Sequence, residues 1–214
     1  MMEIISWAYK ITHKIVRKNK VLMNFVLFVK RQYQNNKRKH IRSQIHDPNF
    51  WINQKLEICG GRTPYKPSEY INCDILKYPE VDVIIDITEK LPFPDDALAE
   101  VFSCATLEHI SLEEGKQAMR EFFRILKPGG KVIIAVPDLN KIIANHRKGE
   151  YKKAILFFAG AMKDEYDYHR YLYTADEMIG LLTEIGFSNC KEVDYNIPRH
   201  QKEYMFQVEA TKQD

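Results

Sequence analysis

The sequence predicts an α/β domain over residues 47–214, preceded by a basic helical arm and linker over residues 1–46. Three observations predict it. Short apolar runs alternate with helical patterns at a rhythm that suits a sheet layered by helices. The first three of those runs end in Gly60-Gly61, Asp74 and Asp86, residue types that serve ligands at strand tips. The charge is also uneven: eleven of the 32 Lys and Arg lie in residues 1–45, where Glu3 is the one acid. That leaves 21 basic and 28 acidic residues for positions 46–214, so an arm of about +10 precedes a body of about −7.

In the arm, Ile4, Trp7, Ala8, Ile11 and Ile15 recur at helical spacing, with Lys10, Lys14, Arg17 and Lys18 between them. Residues 3–34 read as one or two amphipathic helices, Gln34–His46 as a polar link, and Asp47-Pro48 as a turn. The longest apolar run, Val21–Val29, is broken by Asn24 and falls short of the ~20 residues a spanning helix needs. No small-residue cleavage site follows it, so a cytoplasmic location is expected.

In the body, strands are expected at Leu56–Cys59, Tyr70–Asp74, Val81–Asp86 and Val101–Thr106. The third is nearly continuous in Val and Ile, as a strand buried on both faces should be. Ser111 and Glu114 are spaced as a capping box for a helix running to Leu126, stopped by Pro128-Gly129-Gly130. A fifth strand, Lys131–Val136, ends at Pro137. Helices follow at Leu139–Arg147 and Tyr151–Met162. A third runs to Ile185, with Thr174 as cap, Glu177 three residues on and Gly186 as terminator. Asn189–Tyr195 and Tyr204–Thr211 alternate as the last two strands. Cys59, Cys73, Cys104 and Cys190 form no CxxC pair, and no histidine stands at ligand spacing. They read as small buried hydrophobes in a reducing compartment, without a disulfide framework or structural zinc.

The strand tips carry the chemistry. A glycine loop admits a ligand close to the backbone. Asp74 suits two ribose hydroxyls, and Asp86 suits an adenine amino group. In an open parallel sheet, ligands bind outside the carboxyl ends of the strands. A nicotinamide dinucleotide fits poorly, because Gly60-Gly61-Arg62-Thr63-Pro64 is not GxGxxG.

The stretch LEICGGRTPYKPSEYINCDI…DVIIDITEKLPFPDDALAEVFSCATLEHI…EFFRILKPGGKVIIAVPDL resembles class I methyltransferases of the compact type 11 kind, over residues 54–139. The later YTADEMIGLLTEIGF resembles that family's last helix. The resemblance implies a Rossmann-like methyltransferase sheet, mostly parallel with the last strand antiparallel. It implies S-adenosylmethionine as cofactor and S-adenosylhomocysteine as product. Cys59, Gly60 and Gly61 would line the methionine moiety, Asp74 would hold the ribose, and Asp86 with Ile87 would frame the adenine. Thr106 through His109 would lie beside the reactive methyl. Glu108 would orient the cofactor's amino group or cap the helix after Ser111. The sequence departs from the pattern at Cys59, where the family has glycine, and in the short connection Gly60–Glu69, which holds Pro64 and Pro67.

Methyl transfer needs alignment first and, for a protonated acceptor, a base. His109 is the first candidate base. His169 is the second, within an aromatic segment with Tyr166, Tyr168, Arg170 and Tyr173 where a substrate lid could form. There is no NPPY tetrad, no Pro-Cys pair after the fourth strand, and no clustered acidic ligand set for metal-dependent catechol chemistry. The expected substrate is a small molecule, a sugar or a lipid-linked glycan. A non-catalytic scaffold of the same fold is the alternative. For the arm, a peripheral anionic membrane surface and packing or dimerisation stay open; nucleic acid is the weakest reading, because basic charge carries no sequence information.

Overall fold

The computed structural model describes residues 20–213, so residues 3–19 of the helical stretch expected over residues 3–34 lie outside the described residues. The chain divides into two compact units, the first ending at Gln44 and the second beginning at Ile45. In the first unit, α1 spans Lys20–Gln44. The expected link over Gln34–His46 is thus mostly helical. Its Lys, Arg and Gln are good helix formers, and it contains neither Gly nor Pro before Pro48. Phe25, Leu27, Phe28 and Val29 are exposed on α1. Among the described residues, no helix is long and apolar enough to cross a membrane.

The second unit holds a seven-stranded sheet: β1 (Lys55–Ile58), β2 (Ile71–Asp74), β3 (Val83–Ile84), β4 (Leu98–Cys104), β5 (Leu126–Pro137), β6 (Phe187–Val193) and β7 (Met205–Lys212). Their order is β3-β2-β1-β4-β5-β7-β6. Strands β1 to β5 pair in parallel, and β7 runs antiparallel to both β5 and β6. The strand order reverses between β1 and β4, where a doubly wound sheet opens a ligand crevice.

The third strand differs from expectation. Only Val83–Ile84 forms regular strand, and it is the sheet edge. Val81, Val83 and Ile85 point inward, while Ile84 is 50% exposed. An edge strand has one partner and one covered face, so its Val/Ile run alternates after all. Amide bonds from Asp82 to Asn72 O and from Ile85 to Asp74 O extend its pairing with β2.

Helix α2 (Leu112–Ile125) begins with the capping box formed: Ser111 Oγ accepts from Glu114 N, and Glu114 accepts from Ser111 N at 2.8 Å. Gly115, Ala118, Met119, Phe122 and Ile125 form its buried stripe at 3.6-residue spacing. Burying Met119, Phe122 and Ile125 is worth about 1.5–3 kcal/mol each. The helix passes into β5 at Leu126, so Pro128-Gly129-Gly130 lies inside the strand run, within the register shift against β4 that falls between Leu126 and Lys131. Arg124 pins the LPFPDD loop: it donates to the carbonyls of Leu91 and Phe93 and pairs with Glu121 and Asp95. Helices α3 (Leu139–Arg147) and α4 (Tyr151–Ala159) follow, and α5 (Ala175–Ile185) ends at left-handed Gly186.

Candidate cofactor and acceptor site

β1 leaves the sheet at Cys59, whose φ of +55° lies in the left-handed region. A glycine adopts that conformation freely, whereas an L side chain carries roughly 1–2 kcal/mol of strain there. The cysteine therefore keeps the backbone path that the family's glycine would give. Its thiol stands within hydrogen-bonding reach of the Thr106 hydroxyl. Burial, then Asp74, Glu108 and Asp86, push its pKa far above the ordinary thiol value, so the thiol stays neutral. The same electrostatics bring Asp74, Asp86, Thr106 and Glu108 together around Cys59, as the strand order requires.

Gly60 serves packing. A Cβ there would stand 2.4 Å from Asn72 Oδ1 and 2.7 Å from the Glu57 carboxyl carbon. Gly61, with φ of +54°, donates its amide to Asp74 Oδ2 at 3.0 Å. Asp74 Oδ1 accepts from Leu76 N at 2.8 Å. Burial raises the Asp74 pKa, and the amides of Leu76, Gly61 and Ile75 offset part of that shift. Asp86 follows the tip of β3, folded into a turn by Thr88, whose amide and hydroxyl both donate to Oδ1. Ile87 is buried beside it. Asp74 and Asp86 thus occupy neighbouring strand tips on one rim.

β4 ends in a second left-handed residue, Ala105 (φ +54°), before the 3-10 turn Leu107–His109. Thr106 is buried, its hydroxyl 3.4 Å from Ile58 O. Glu108 does not cap α2, a role filled by Ser111. It is 1% exposed, and neither carboxyl oxygen has a hydrogen-bond partner of ordinary geometry. Burial raises its pKa to about 8, against the opposing pull of the nearby amides of Glu108 and Thr106.

His109 and His169 come together, their rings edge to face with centroids 4.9 Å apart. His109 Nδ1 faces Tyr168 O at 3.2 Å, and His169 Nδ1 faces Phe157 O at 2.9 Å. Because a carbonyl only accepts, each Nδ1 carries the proton and each neutral ring keeps its lone pair on Nε2. Burial lowers both pKa values, that of His169 to about 4 with a smaller contribution from His109. The 167–171 segment is fastened in place by main-chain bonds: Arg170 N donates to Glu108 O at 2.7 Å, and His169 N donates to Ala159 O. Gly160 makes this approach possible, since a Cβ there would stand 1.9 Å from Asp167 O. Tyr166, Tyr168 and Arg170 are exposed, whereas Tyr173 is fully buried and belongs to the core, not to a lid.

Sequence reasoning missed Glu57, Arg199 and His200. Glu57, fully buried at the end of β1, accepts from Tyr65 N and pairs with Arg199, which also donates to Thr63 O. Burial, Arg199 and His109 lower the His200 pKa. Glu57 sits in the glycine-loop motif and hinted at a role; nothing local marked Arg199.

A mostly parallel sheet with one reversed strand, carrying carboxylates on neighbouring tips beside a glycine loop, is the sheet arrangement of class I methyltransferases. Residues 65–134 match the family model described as "Methyltransferase domain". An uncharacterized protein of Methanocaldococcus jannaschii is 32% identical over 111 residues, which is 52% of this chain and 48% of that protein. A ubiquinone/menaquinone biosynthesis C-methyltransferase of Bartonella quintana is 32% identical over 126 residues, 51% of this chain and 45% of that enzyme. The chain spans about half the length of the curated relatives it matches. A SAM-dependent methyltransferase of Archaeoglobus fulgidus superposes with a TM-score of 0.56 at 16% identity, covering 84% of this chain and 94% of that one. That likeness speaks for the fold. A phosphoethanolamine N-methyltransferase of Haemonchus contortus, 16% identical with a TM-score of 0.50 over 84% of this chain and 53% of that one, was solved in complex with S-adenosyl-L-methionine. The rim fits that molecule: two carboxylates on the adjacent tips of β2 and β3, with a loop kept low by Gly61 and by the turned-back Cys59 on the next strand, β1.

Proposed function

We propose that the chain is an S-adenosylmethionine-dependent methyltransferase acting on a small molecule, with a sugar or lipid-linked glycan as the favoured acceptor class. The observation that carries this reading is the placement of Asp74 and Asp86 on neighbouring strand tips around the Cys59–Gly61 turn. Asp74 keeps lone pairs for two ribose hydroxyls beyond the amides it already accepts. Asp86 and buried Ile87 meet the purine, one with a carboxylate and the other with an apolar wall. Thr106 and Glu108 stand toward the methionine end. When bound, the cofactor supplies a methyl group on a cationic sulfur, open to in-line displacement.

This chain's own residues hold the two reactants in line and keep water out, which can supply much of the acceleration. His109 and His169 line the acceptor end, each with its Nδ1–H spent on a carbonyl and its Nε2 lone pair left to accept from an acceptor hydroxyl or amine. The arm belongs to the same reading: its excess of Lys and Arg beside exposed Phe25 and Phe28 suits an anionic membrane surface, from the cytoplasmic side. Calorimetry with S-adenosylhomocysteine tests the core of the proposal. The wild-type chain should bind with one-to-one stoichiometry, and Asp74→Ala should remove binding while leaving the melting transition in place. An intact protein that binds none of it ends the proposal.

A further inference from the structure

We propose that Glu108, His109 and His169 form a divalent-cation site of the two-histidine, one-carboxylate kind. One ligand atom from each residue lies within 4.8 Å of the other two. Donors at about 2.0–2.2 Å from a tetrahedral ion stand roughly 3.4 Å apart, so modest side-chain rotations close the set.

Three features support a built site over chance proximity. Both imidazoles donate Nδ1–H to a backbone carbonyl, Tyr168 O for His109 and Phe157 O for His169. That is the usual outer contact of a metal-bound histidine, and it fixes Nε2 as the coordinating atom. The Glu108 carboxyl is buried with no hydrogen-bond partner of ordinary geometry on either oxygen. Buried carboxylates are ordinarily paired, hydrogen-bonded or bound to a metal. Edge-to-face packing of two histidine rings would account for His109 and His169 but not for the Glu108 carboxyl, whose takers are the ion and the cofactor's amino group. The two halves of the site are also locked together through main chain, by the bond from Arg170 N to Glu108 O. Ligands carried on such pinned segments are held in advance of binding.

Three protein donors are what catalytic zinc-type sites carry, with a further position open to substrate. With the ion bound, both Nε2 lone pairs go to it, and the ion replaces their direct contact with the acceptor. Its task at the open position, receiving an acceptor oxygen, rests on the methyltransferase reading; binding of the ion does not. The test uses the full chain, freed of metal by chelator and titrated with Co²⁺ under visible absorption and with Zn²⁺ by calorimetry. One equivalent should bind, with the intense absorption of low-coordinate Co²⁺. His109→Ala and His169→Ala should each weaken Zn²⁺ at least tenfold, and Glu108→Gln should do the same, with far-ultraviolet dichroism verifying their folding. Calorimetry with S-adenosylhomocysteine on the same samples keeps the two proposals apart, since the histidine variants should still bind it. No stoichiometric Zn²⁺ or Co²⁺ binding by the wild type overturns the site. Equal Zn²⁺ affinity in the wild type and a folded His109→Ala/His169→Ala double variant overturns it as well.

Discussion

Removing Arg199 tests how the cofactor rim is held. Its guanidinium reaches Glu57, whose side chain is fully buried, and the Thr63 carbonyl 2.6 Å away. Glu57 also accepts from Tyr65 N at 2.7 and 3.0 Å. The ion pair and the two backbone contacts therefore hold the 60–65 loop between β1 and the C-terminal segment. Arg199→Ala strands a buried carboxylate with one amide as its remaining donor among these contacts. Breaking a buried pair from one side costs about 3–5 kcal/mol, but Arg199 is 16% exposed and Tyr65 N stays, so about 2–4 kcal/mol is expected. For a body of this size that lowers the melting temperature by roughly 5–12 °C. Glu57→Gln keeps an acceptor for Tyr65 N and removes the buried charge. The Arg199→Ala/Glu57→Gln chain should therefore recover much of the stability that Arg199→Ala loses. Urea denaturation of the four proteins, read as a double-mutant cycle, measures the coupling. S-adenosylhomocysteine affinity should fall with Arg199→Ala, because the loop it fastens carries Gly61. An Arg199→Ala protein within about 0.5 kcal/mol of wild type, or a coupling near zero, would refute the reasoning.

Three further outcomes follow from the geometry. Arg124→Ala removes donors from the carbonyls of Leu91 and Phe93 and from Glu121, so it should cost about 2–4 kcal/mol in urea denaturation; a surface-like loss under about 0.5 kcal/mol would contradict the account of the LPFPDD loop. Burial raises the Asp74 pKa, and the ionised carboxylate is the form that accepts ribose hydroxyls. S-adenosylhomocysteine affinity should hold between about pH 7 and 8 and fall with acidification sooner than a solvent-exposed aspartate would dictate; Asp74→Asn should bind weakly without that dependence. Cys59→Gly trades about 1–2 kcal/mol of left-handed strain for about 0.5–1 kcal/mol of glycine chain entropy and should melt close to wild type, whereas Cys59→Val, branched at the same φ, should melt clearly lower.

Much of the fold was legible because its signals are local. Ser111 and Glu114 stand three residues apart, as do Thr174 and Glu177, and both caps formed where the spacing put them. The tips at Asp74 and Asp86 were legible for a similar reason: a parallel run ending in an acid announces its own end. The edge position of β3 was not, because it depends on the order of strands, and a Val/Ile run reads alike whether one face or two are covered. The helical continuation of α1 through residues 35–44 was hidden by polarity, which lowers apolar contrast without lowering helix propensity. Pairing of Glu57 with Arg199, 142 positions apart, leaves no local trace at all. The two histidines were singled out by type and neighbourhood, but that Glu108 turns inward beside them follows from the 3-10 turn at Leu107–His109.

The left-handed residues at Cys59 and Ala105 tie these features together. They end β1 and β4, the adjacent strands at which the strand order reverses. A side chain in that conformation is costly, and such strain persists where the surroundings over-determine it. At Cys59 the constraint comes from Gly60, wedged against Asn72 and Glu57, and from the bond between Cys59 N and Cys73 O. At Ala105 it comes from the bond to Ala135 O and from Thr106, whose hydroxyl reaches back to Ile58 O. Each turn throws the following segment off the sheet at the rim, one toward Gly61 and Asp74, the other toward Glu108 and His109. The strain is thus spent on aiming two loops at a common place. A chain selected only for a stable sheet would have little reason to keep a cysteine and an alanine where glycine sits without cost.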